Sequence, residues 1–347
     1  MGLAAIEPRE AASTAVAVQP CRDVSGRPGQ ELWVIVLAGG EGRRLQAFVN
    51  RYLGTSRPKQ FCAIVGNRTM LRQTWDRALR LTDPERIVTV ITAGQEGYLE
   101  AEHRQGIPGH VLIQPENKET APGVLWPLLF IRERAANATV VVLPADHYVG
   151  QEDLFASHVR MAAAAARRWP DRIAMLGVEP TEPEVGYGWI APGAPMPSGA
   201  VGDVELYAVR RFWEKPDAKT ATMLFGRGYL WNILVLAGHV ATYLRLAAES
   251  LPEVMRPLRD AVRRGGSVAA DAAMREAYRK IPESNFSEEI LVRRPEDLVV
   301  VVTRGVEWSD WGDADRIARS VERLDQRPAW WARYALQRLR PARPTIA

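Results

Sequence analysis

The segment VIVLAGGEGRRL, residues 34–45, combines glycines and arginines in a pattern that suits the binding of an anion. An apolar run that predicts a strand ends in three glycines: Gly39, Gly40 and Gly42. Such a turn lets backbone N–H groups approach a phosphate without interference from side chains. The spacing fits neither the P-loop nor the GxGxxG fingerprint. Arg44 and Lys59 could bring two cations to the same triphosphate, although a solvated basic loop would look similar.

Two aspartates belong to β-rich segments far apart in the chain. Asp146 ends VVVLPAD, which would place it at the carboxyl edge of a sheet, where α/β folds bind ligands. Asp310 lies in VEWSDWGD, residues 306–313. Together the two carboxylates predict a site that holds Mg²⁺ against phosphate oxygens. The competing interpretations are a helix cap for Asp146 and a turn residue for Asp310. His147 is predicted to be structural.

A third group of residues has the chemistry to bind a sugar phosphate. Glu214 and Asn232 offer hydrogen-bonding groups for hydroxyls, and Lys215 offers a cation for a monophosphate. Gly188 lies in VGYGWI, earlier in the same predicted sheet. Each motif alone could be a surface turn or a packing residue, but their order on one sheet favours a binding site.

The elements that must position these residues alternate between strand-like and helical patterns. Strands are predicted at 33–39, 86–92, 139–145 and 172–178, and helices at 70–81, 95–104, 121–136 and 154–169. The alternation is typical of βαβ units, so we expect an α/β fold with a mostly parallel, Rossmann-like sheet flanked by helices. More hairpin-like patterns at 188–192, 205–215 and 297–308 predict a smaller antiparallel extension.

The domain organisation follows from composition along the chain. We expect a disordered leader over residues 1–30, one domain over 31–325 and a basic tail over 326–347. In the tail, aromatic and apolar side chains at helical spacing alternate with arginines: Trp330, Trp331, Tyr334, Leu336, Arg333, Arg338 and Arg340. This pattern fits either a closing helix that packs on the domain or a basic helix in weak contact with an anionic membrane.

Overall composition excludes several classes of protein. The chain has 347 residues, of which 47% are hydrophobic and 25% charged, with a net charge of +4. A site for phosphates explains this mild positive charge as well as nucleic acid would, so we expect no nucleic-acid partner. Two cysteines without a CxxC motif predict neither a disulfide framework nor a structural zinc. No segment predicts secretion or stable membrane insertion, so a cytoplasmic location is expected.

Taken in order, the motifs resemble the sugar-1-phosphate nucleotidyltransferases over roughly residues 32–318. They are GGEGRRL, PKQF, ENKETAP, LPADH, VGYGWI, FWEKP, LWN and WSDWGD. PKQF and the N-x-x-T-A-P of residues 117–122 are similar to the mannose-1-phosphate guanylyltransferase branch. The resemblance implies that GTP and mannose-1-phosphate give GDP-mannose and pyrophosphate, with Mg²⁺ as cofactor. A homo-oligomer is compatible with this family.

The resemblance also implies a role for each matching residue. The glycines would wrap the nucleotide, Arg44 and Lys59 would contact its phosphates, and Asp146 and Asp310 would hold Mg²⁺. The base and ribose would lie near Asn117, Thr120, Ala121 and Pro122. The sugar phosphate would bind Gly188, Glu214, Lys215 and Asn232.

Some positions depart from the family pattern and keep alternatives open. Gln46-Ala47 stands where a proline is usual, and Lys118-Glu119 stands for Arg-Asn. Ile233-Leu234 replaces Ser-Gly after the LWN motif. Another sugar or nucleotide therefore stays open, such as GTP with a heptose-1-phosphate or UTP or dTTP with glucose-1-phosphate. A catalytically silent regulatory module on this fold is the third alternative.

Overall fold

The computed structural model describes residues 31–103, 105–197, 205–264, 268–324 and 327–338. The predicted leader lies outside the described residues. The strands are β1 Leu32–Leu37, β2 Ile87–Thr92, β3 His110–Gln114, β4 Thr139–Pro144, β5 Tyr148–Val149, β6 Ile173–Val178, β7 Gly188–Pro195, β8 Leu206–Trp213, β9 Leu230–His239, β10 Leu298–Thr303 and β11 Trp308–Ser309.

The α-helices are α1 Gln46–Phe48, α2 Met70–Leu79, α3 Glu96–His103, α4 Thr120–Arg132, α5 Glu152–Arg168, α6 Ala218–Gly226, α7 Val240–Ser250, α8 Pro252–Arg263, α9 Val268–Lys280, α10 Ala314–Glu322 and α11 Trp331–Arg338. Short 3₁₀ turns cover Arg43–Leu45, Lys59–Phe61, Pro84–Arg86 and Pro295–Asp297, and π-helical turns cover Val49–Leu53 and Ser287–Leu291.

Four neighbouring strands form the parallel part of the sheet. β1 pairs in parallel with β2 and β4, and β2 pairs in parallel with β3. Every residue of β2 and β4 is buried, because helices cover both faces of a parallel sheet. These strands confirm the predicted α/β class. β3 was not predicted, because His110–Gln114 is mostly half-buried at an edge and lacks a run of β-branched residues.

The remaining long strands continue the same nine-stranded sheet, in the order β3-β2-β1-β4-β9-β6-β10-β8-β7. β9 is antiparallel to both β4 and β6, and β7 pairs antiparallel with β8 and with β9. The expected antiparallel extension is correct for β7 and β8. For β10 it is correct only in part, because β10 pairs antiparallel with β8 but lies inside the main sheet, parallel to β6 on its other side. The physical reason is that LVVVVT is buried along its whole length, as a central strand must be.

Two large apolar clusters cover the two faces of this sheet. Because side chains alternate along a strand, Trp33 and Ile35 of β1 join one cluster with α4, α7 and α8. Val34 and Val36 join the other with α2 and α5. The sheet is therefore the middle of three layers, and its carboxyl edge is left open for a site.

A third apolar cluster lies where the chain around Arg44 meets the C-terminal part of the protein. Phe48, Tyr52, Trp330 and Tyr334 form its aromatic part, with ring centroids 5.0 Å apart for Phe48 and Trp330 and 5.4 Å apart for Tyr52 and Tyr334. Trp330 is 4% and Tyr334 6% exposed. For these two residues the packing favours the closing-helix interpretation of the tail. Arg340 lies outside the described residues.

Among the helices that the structure describes, none is both long and apolar enough to cross a bilayer.

Candidate active site

A cavity of about 330 Å³ opens at the carboxyl ends of β1 and β4, beside β7, β8 and β9. The end residues Leu37 and Pro144 contribute to its wall, as the ligand-binding edge of an α/β sheet should. Eleven of the predicted site residues line it: Gly39, Gly40, Arg44, Asn117, Thr120, Asp146, Gly188, Glu214, Lys215, Asn232 and Asp310. The structure thus brings together motifs spread over more than 270 residues of sequence.

Four predicted site residues do not line this cavity. Lys59 lies just behind it, and Gly42 packs its turn against Pro58 and Lys59 with a φ of +65°. Ala121 and Pro122 are buried in the first turn of α4, which points into the core. The N–H of Ala121 donates to the Ser284 carbonyl at 2.9 Å. Their neighbour Thr120 lines the cavity, so the expectation that Ala121 and Pro122 lie near the base and ribose stays a prediction.

The glycine turn is held from behind by side-chain donors. Gln60 Nε2 donates to the carbonyls of Ala38 and Gly40 at 2.7 and 2.6 Å. Thr92 Oγ1 donates to the Gly39 carbonyl at 2.9 Å, and Gln95 Nε2 donates to the Gly40 carbonyl at 3.1 Å. A side chain on Gly39 would collide with Thr92. The carbonyls are thus fixed away from an approaching anion, which leaves the turn suited to donate its N–H groups.

Lys59 joins the two predicted catalytic aspartates, one through its carboxylate and the other through its backbone carbonyl. It is 7% exposed, and its Nζ lies 3.1 Å from Asp146 Oδ2. The same Nζ donates to the backbone carbonyl of Asp310 at 2.5 Å. Asp146 and Asp310 approach each other because β5 and β11 pair, with Ser309 opposite Tyr148. A buried ammonium between two aspartates at the cavity edge is the electrostatic centre of the site.

Asp310 is fixed by a network that the sequence motifs did not reveal. Its Oδ1 accepts hydrogen bonds from Tyr187 Oη at 2.8 Å, Gly312 N at 2.8 Å and Arg316 Nη1 at 2.7 Å. Arg44 approaches the other oxygen, Oδ2, at 3.9 Å. Burial would raise the pKa of Asp310, but the charges of Lys59 and Arg316 outweigh it and lower the pKa to about 2. Asp310 is therefore an anion at every working pH.

Arg316 is the functional neighbour that sequence reasoning missed. Its side chain is 9% exposed and also reaches Glu184 at 2.7 Å, while its guanidinium lies 4.5 Å from the ring centroid of Tyr187. The signal was present, because Asp313 caps α10 and Arg316 stands in the first turn of that helix, six residues after Asp310. Only the fold shows that the two side chains meet.

Asp146 has a more open environment than Asp310. Its side chain is 34% exposed, and burial would raise its pKa, but the charge of Lys59 prevails and lowers it. The neighbouring His147 also lines the cavity, packs edge-on against Trp308 with centroids 5.1 Å apart, and has its pKa lowered by burial. Its Nδ1 is buried without a partner among the described residues. A neutral, packed His147 fits the structural role predicted for it.

The donor chemistry of the two aspartates fits Mg²⁺. Within the described ranges no group of three or more His, Cys, Asp or Glu side chains could hold a metal ion by itself. Mg²⁺ is commonly held by one or two carboxylates, with the other positions taken by substrate phosphates and water. Asp310 Oδ1 already accepts three hydrogen bonds, so Oδ2 is its available oxygen, and Asp146 lines the same cavity. The protein therefore offers a partial site that a phosphate ligand would complete.

The opposite side of the cavity is built from β7, β8 and β9. Gly188 at the start of β7 pairs with Asn232 of β9, and a side chain on Gly188 would meet Glu214 Oε2 at 2.9 Å. Lys215 Nζ lies 3.4 Å from Glu214 Oε1. Burial raises the pKa of Glu214, although Lys215 partly offsets this. Carboxyl, amide and ammonium groups thus converge on one wall, the chemistry expected for hydroxyls and a phosphate.

Comparison with known proteins gives the family to which the chain is similar. The family model described as "Nucleotidyl transferase" matches residues 33–327. The chain is 31% identical over 288 residues to the xanthan biosynthesis protein XanB of Xanthomonas campestris pv. campestris, covering 80% of this chain and 57% of XanB. It is 30% identical over 294 residues to a mannose-1-phosphate guanylyltransferase of Escherichia coli, covering 81% and 58%. The chain thus spans little more than half the length of these curated relatives.

Solved structures give the same result. A protein from Thermus thermophilus, described as a mannose-1-phosphate geranyltransferase, superposes with a TM-score of 0.70 at 28% identity, covering 86% of this chain and 81% of that one. The inositol-1-phosphate CTP transferase of T. maritima, at 12% identity and a TM-score of 0.51, covers 86% of this chain and 99% of that one and shares the fold. On the match of the family model to most of its length, the chain belongs to the nucleotidyl transferase family.

Proposed function

We propose that this protein transfers the guanylyl group of GTP to a sugar-1-phosphate, with mannose-1-phosphate as the favoured acceptor, and releases pyrophosphate. The observation that carries the proposal is the Lys59 ammonium, which contacts both Asp146 and Asp310. The glycine turn, whose form suits phosphate binding, lies on one side of the same cavity, and the wall with Glu214 and Asn232 lies on the other. Guanine and mannose are favoured because relatives at about 30% identity are described as mannose-1-phosphate guanylyltransferases.

The chain's own groups suffice to position such a reaction. The turn from Gly39 to Gly42 would hold the triphosphate, with Arg44 and Lys59 neutralising its charge. Lys215 would bind the phosphate of the sugar, and Asn232 and Glu214 would orient its hydroxyls. The sugar phosphate is already an anionic nucleophile, so no general base is required, and catalysis rests on in-line alignment.

Asp146 and Asp310 would hold the metal ion in this scheme. When bound, Mg²⁺ would supply charge stabilisation for the departing pyrophosphate. Lys59 would hold the Asp146 carboxylate and the Asp310 backbone in place before substrate arrives, because its Nζ contacts both. Such a reaction uses small, diffusible phosphates, which fits a cytoplasmic enzyme that needs no nucleic acid.

The test is pyrophosphate release from four nucleoside triphosphates, each paired with a panel of sugar-1-phosphates. Among sugar-1-phosphates that keep every ring hydroxyl, we expect the highest kcat/KM for GTP with mannose-1-phosphate. The matched control is Lys59→Ala, which should lose most activity while its circular dichroism stays native. A clear preference for UTP or dTTP with glucose-1-phosphate would refute the substrate assignment, and no release from any pair would refute the activity.

A further inference from the structure

Leu234, in the middle of β9, has a backbone conformation that leucine rarely adopts. Its φ is +53°, in the left-handed region that glycine takes without steric cost. Within the described residues four non-glycine residues have a positive φ: Glu119, Lys215, Leu234 and Trp311. Three of them line the cavity and the fourth follows Asp310. Strained backbone concentrated at one site indicates function.

An irregularity in the strand pairing holds Leu234 in this conformation. Met175 and Gly177, two residues apart on β6, face Leu236 and Asn232, four residues apart on β9. The extra residues form a bulge, and bulges beside binding sites redirect side chains. The N–H of Leu234 donates to Asn232 Oδ1 at 3.1 Å, which fixes the Asn232 side chain as well. The bulge therefore sets the positions of both residues.

This arrangement places the Leu234 side chain, with its neighbour Ile233, beside polar side chains in the same wall of the cavity. Leu234 lines the cavity together with Asn232, Glu214 and Lys215, and it is half-buried against the core cluster that contains α7 and α8. A hydroxyl that faced the leucine side chain would lose its water and gain no hydrogen-bond partner. A ring carbon without a hydroxyl would lose no hydrogen bond to water when it packed against the leucine side chain.

We propose that Leu234 is a specificity-determining residue that favours a sugar-1-phosphate lacking a hydroxyl at the ring position facing it. The inference rests on the proposed function, since it assumes that the sugar phosphate binds beside Asn232 and Glu214. The substrate class is thus a deoxy sugar-1-phosphate, or a sugar whose stereochemistry turns that hydroxyl away from Leu234.

The experiment measures binding of mannose-1-phosphate and each of its monodeoxy counterparts by calorimetry, followed by kcat/KM with GTP. The proteins are wild type, Leu234→Gly and Leu234→Ala. For wild type we expect one deoxy compound to bind at least as tightly as the parent. In Leu234→Gly the preference should move toward the parent by about tenfold, because the space left by leucine admits water to that hydroxyl.

Thermal unfolding supplies the control for folding. Leu234→Gly and Leu234→Ala remove the same contacts or nearly so, but only glycine takes a φ of +53° freely, so the glycine variant should melt higher than the alanine variant. An unchanged ranking of the sugar phosphates in Leu234→Gly would overturn the inference. Selective binding without pyrophosphate release would overturn the proposed activity and leave the inference standing. If wild type bound no sugar-1-phosphate, both would fail.

Discussion

The two predicted metal ligands differ more than their sequence motifs indicate. Both aspartates stand just after strands, Asp146 after β4 and Asp310 after β11. Asp310 proves to be the counter-charge of Arg316, which is 9% exposed, and it accepts two further hydrogen bonds. Asp146 is 34% exposed and pairs mainly with Lys59. The Asp310 carboxylate therefore has a structural role in addition to its proposed catalytic role.

Replacement of each aspartate by asparagine should separate the structural role from the proposed catalytic role. We expect Asp310→Asn to lower the free energy of unfolding by about 2 kcal/mol, because Arg316 loses one of its two buried carboxylate partners and keeps Glu184. Asp146→Asn should lower it by less, since Lys59 keeps the carbonyl of Asp310 as an acceptor. Both variants should lose several decades of kcat, because a neutral amide is a poor Mg²⁺ ligand.

The measurements are urea unfolding followed by circular dichroism, and kcat across a Mg²⁺ titration. The double variant should be little slower than either single one, because groups that hold one ion act as a unit. Near-wild-type turnover in one variant would exclude that residue from the site. Equal losses of stability would show that Arg316 does not depend on Asp310.

At the scale of elements, the third apolar cluster links the C-terminal helix to the arginine-bearing turn. Between that turn and Lys59 the chain forms α1 and the π-helical turn Val49–Leu53, which carry Phe48 and Tyr52. Trp330 packs on them and donates from Nε1 to the Ile64 carbonyl at 2.7 Å, and Arg333 donates to the Tyr52 carbonyl at 2.8 Å. Leu45, next to Arg44, belongs to the same cluster. The position of Arg44 thus depends on residues near the end of the chain.

Trp330→Ala should therefore affect nucleotide binding as well as stability. Removal of a buried tryptophan costs about 3–5 kcal/mol of unfolding free energy. Because the cluster positions Arg44, the KM for the nucleotide should also rise, while the KM for the sugar phosphate stays nearly constant. Trp330→Phe, which keeps an aromatic ring in the cluster, should recover most of the nucleotide KM. Steady-state kinetics with each substrate varied in turn gives both constants.

The matched control is Leu336→Ala, in the helix that follows Trp330 but 66% exposed, which should change neither stability nor KM. An equal rise of both KM values in Trp330→Ala would indicate a general loss of structure. No change in either would show that the C-terminal helix does not position the turn.

Features that depend on neighbouring residues in the sequence could be predicted, and features that depend on contacts between distant segments could not. β1, β2, β4 and β6 were predicted because buried, β-branched runs carry their own signal. The insertion of β10 between β6 and β8 was not, because strand order depends on pairing between distant segments. The same holds for the site. Charged and polar site residues were predicted from short sequence motifs. The hydrogen bonds around Arg316 and the bulge at Leu234 could not be predicted, because they arise only in the folded sheet.

At the scale of the whole molecule, one sheet carries both halves of the proposed site. The nucleotide half lies at the ends of β1 and β4, and the sugar half lies on β7, β8 and β9. β4 and β9 are direct neighbours, joined by a register from Thr139 opposite His239 to Val142 opposite Leu236. The two apolar clusters cross this junction on both faces. Neither half can lose its strands without exposing the core of the other.

Binding of the nucleotide alone should consequently stabilise the whole sheet. Mg²⁺–GTP at one hundred times its Kd should raise the free energy of unfolding by about 2.7 kcal/mol, because it binds the folded state alone. Far-ultraviolet circular dichroism and tryptophan fluorescence should report one shared transition during urea unfolding, with and without ligand. Lys59→Ala serves as the control and should show a much smaller shift. Two separate transitions, of which the nucleotide moves only one, would show that the strands of the sugar half unfold on their own and that β4 and β9 do not couple the two halves.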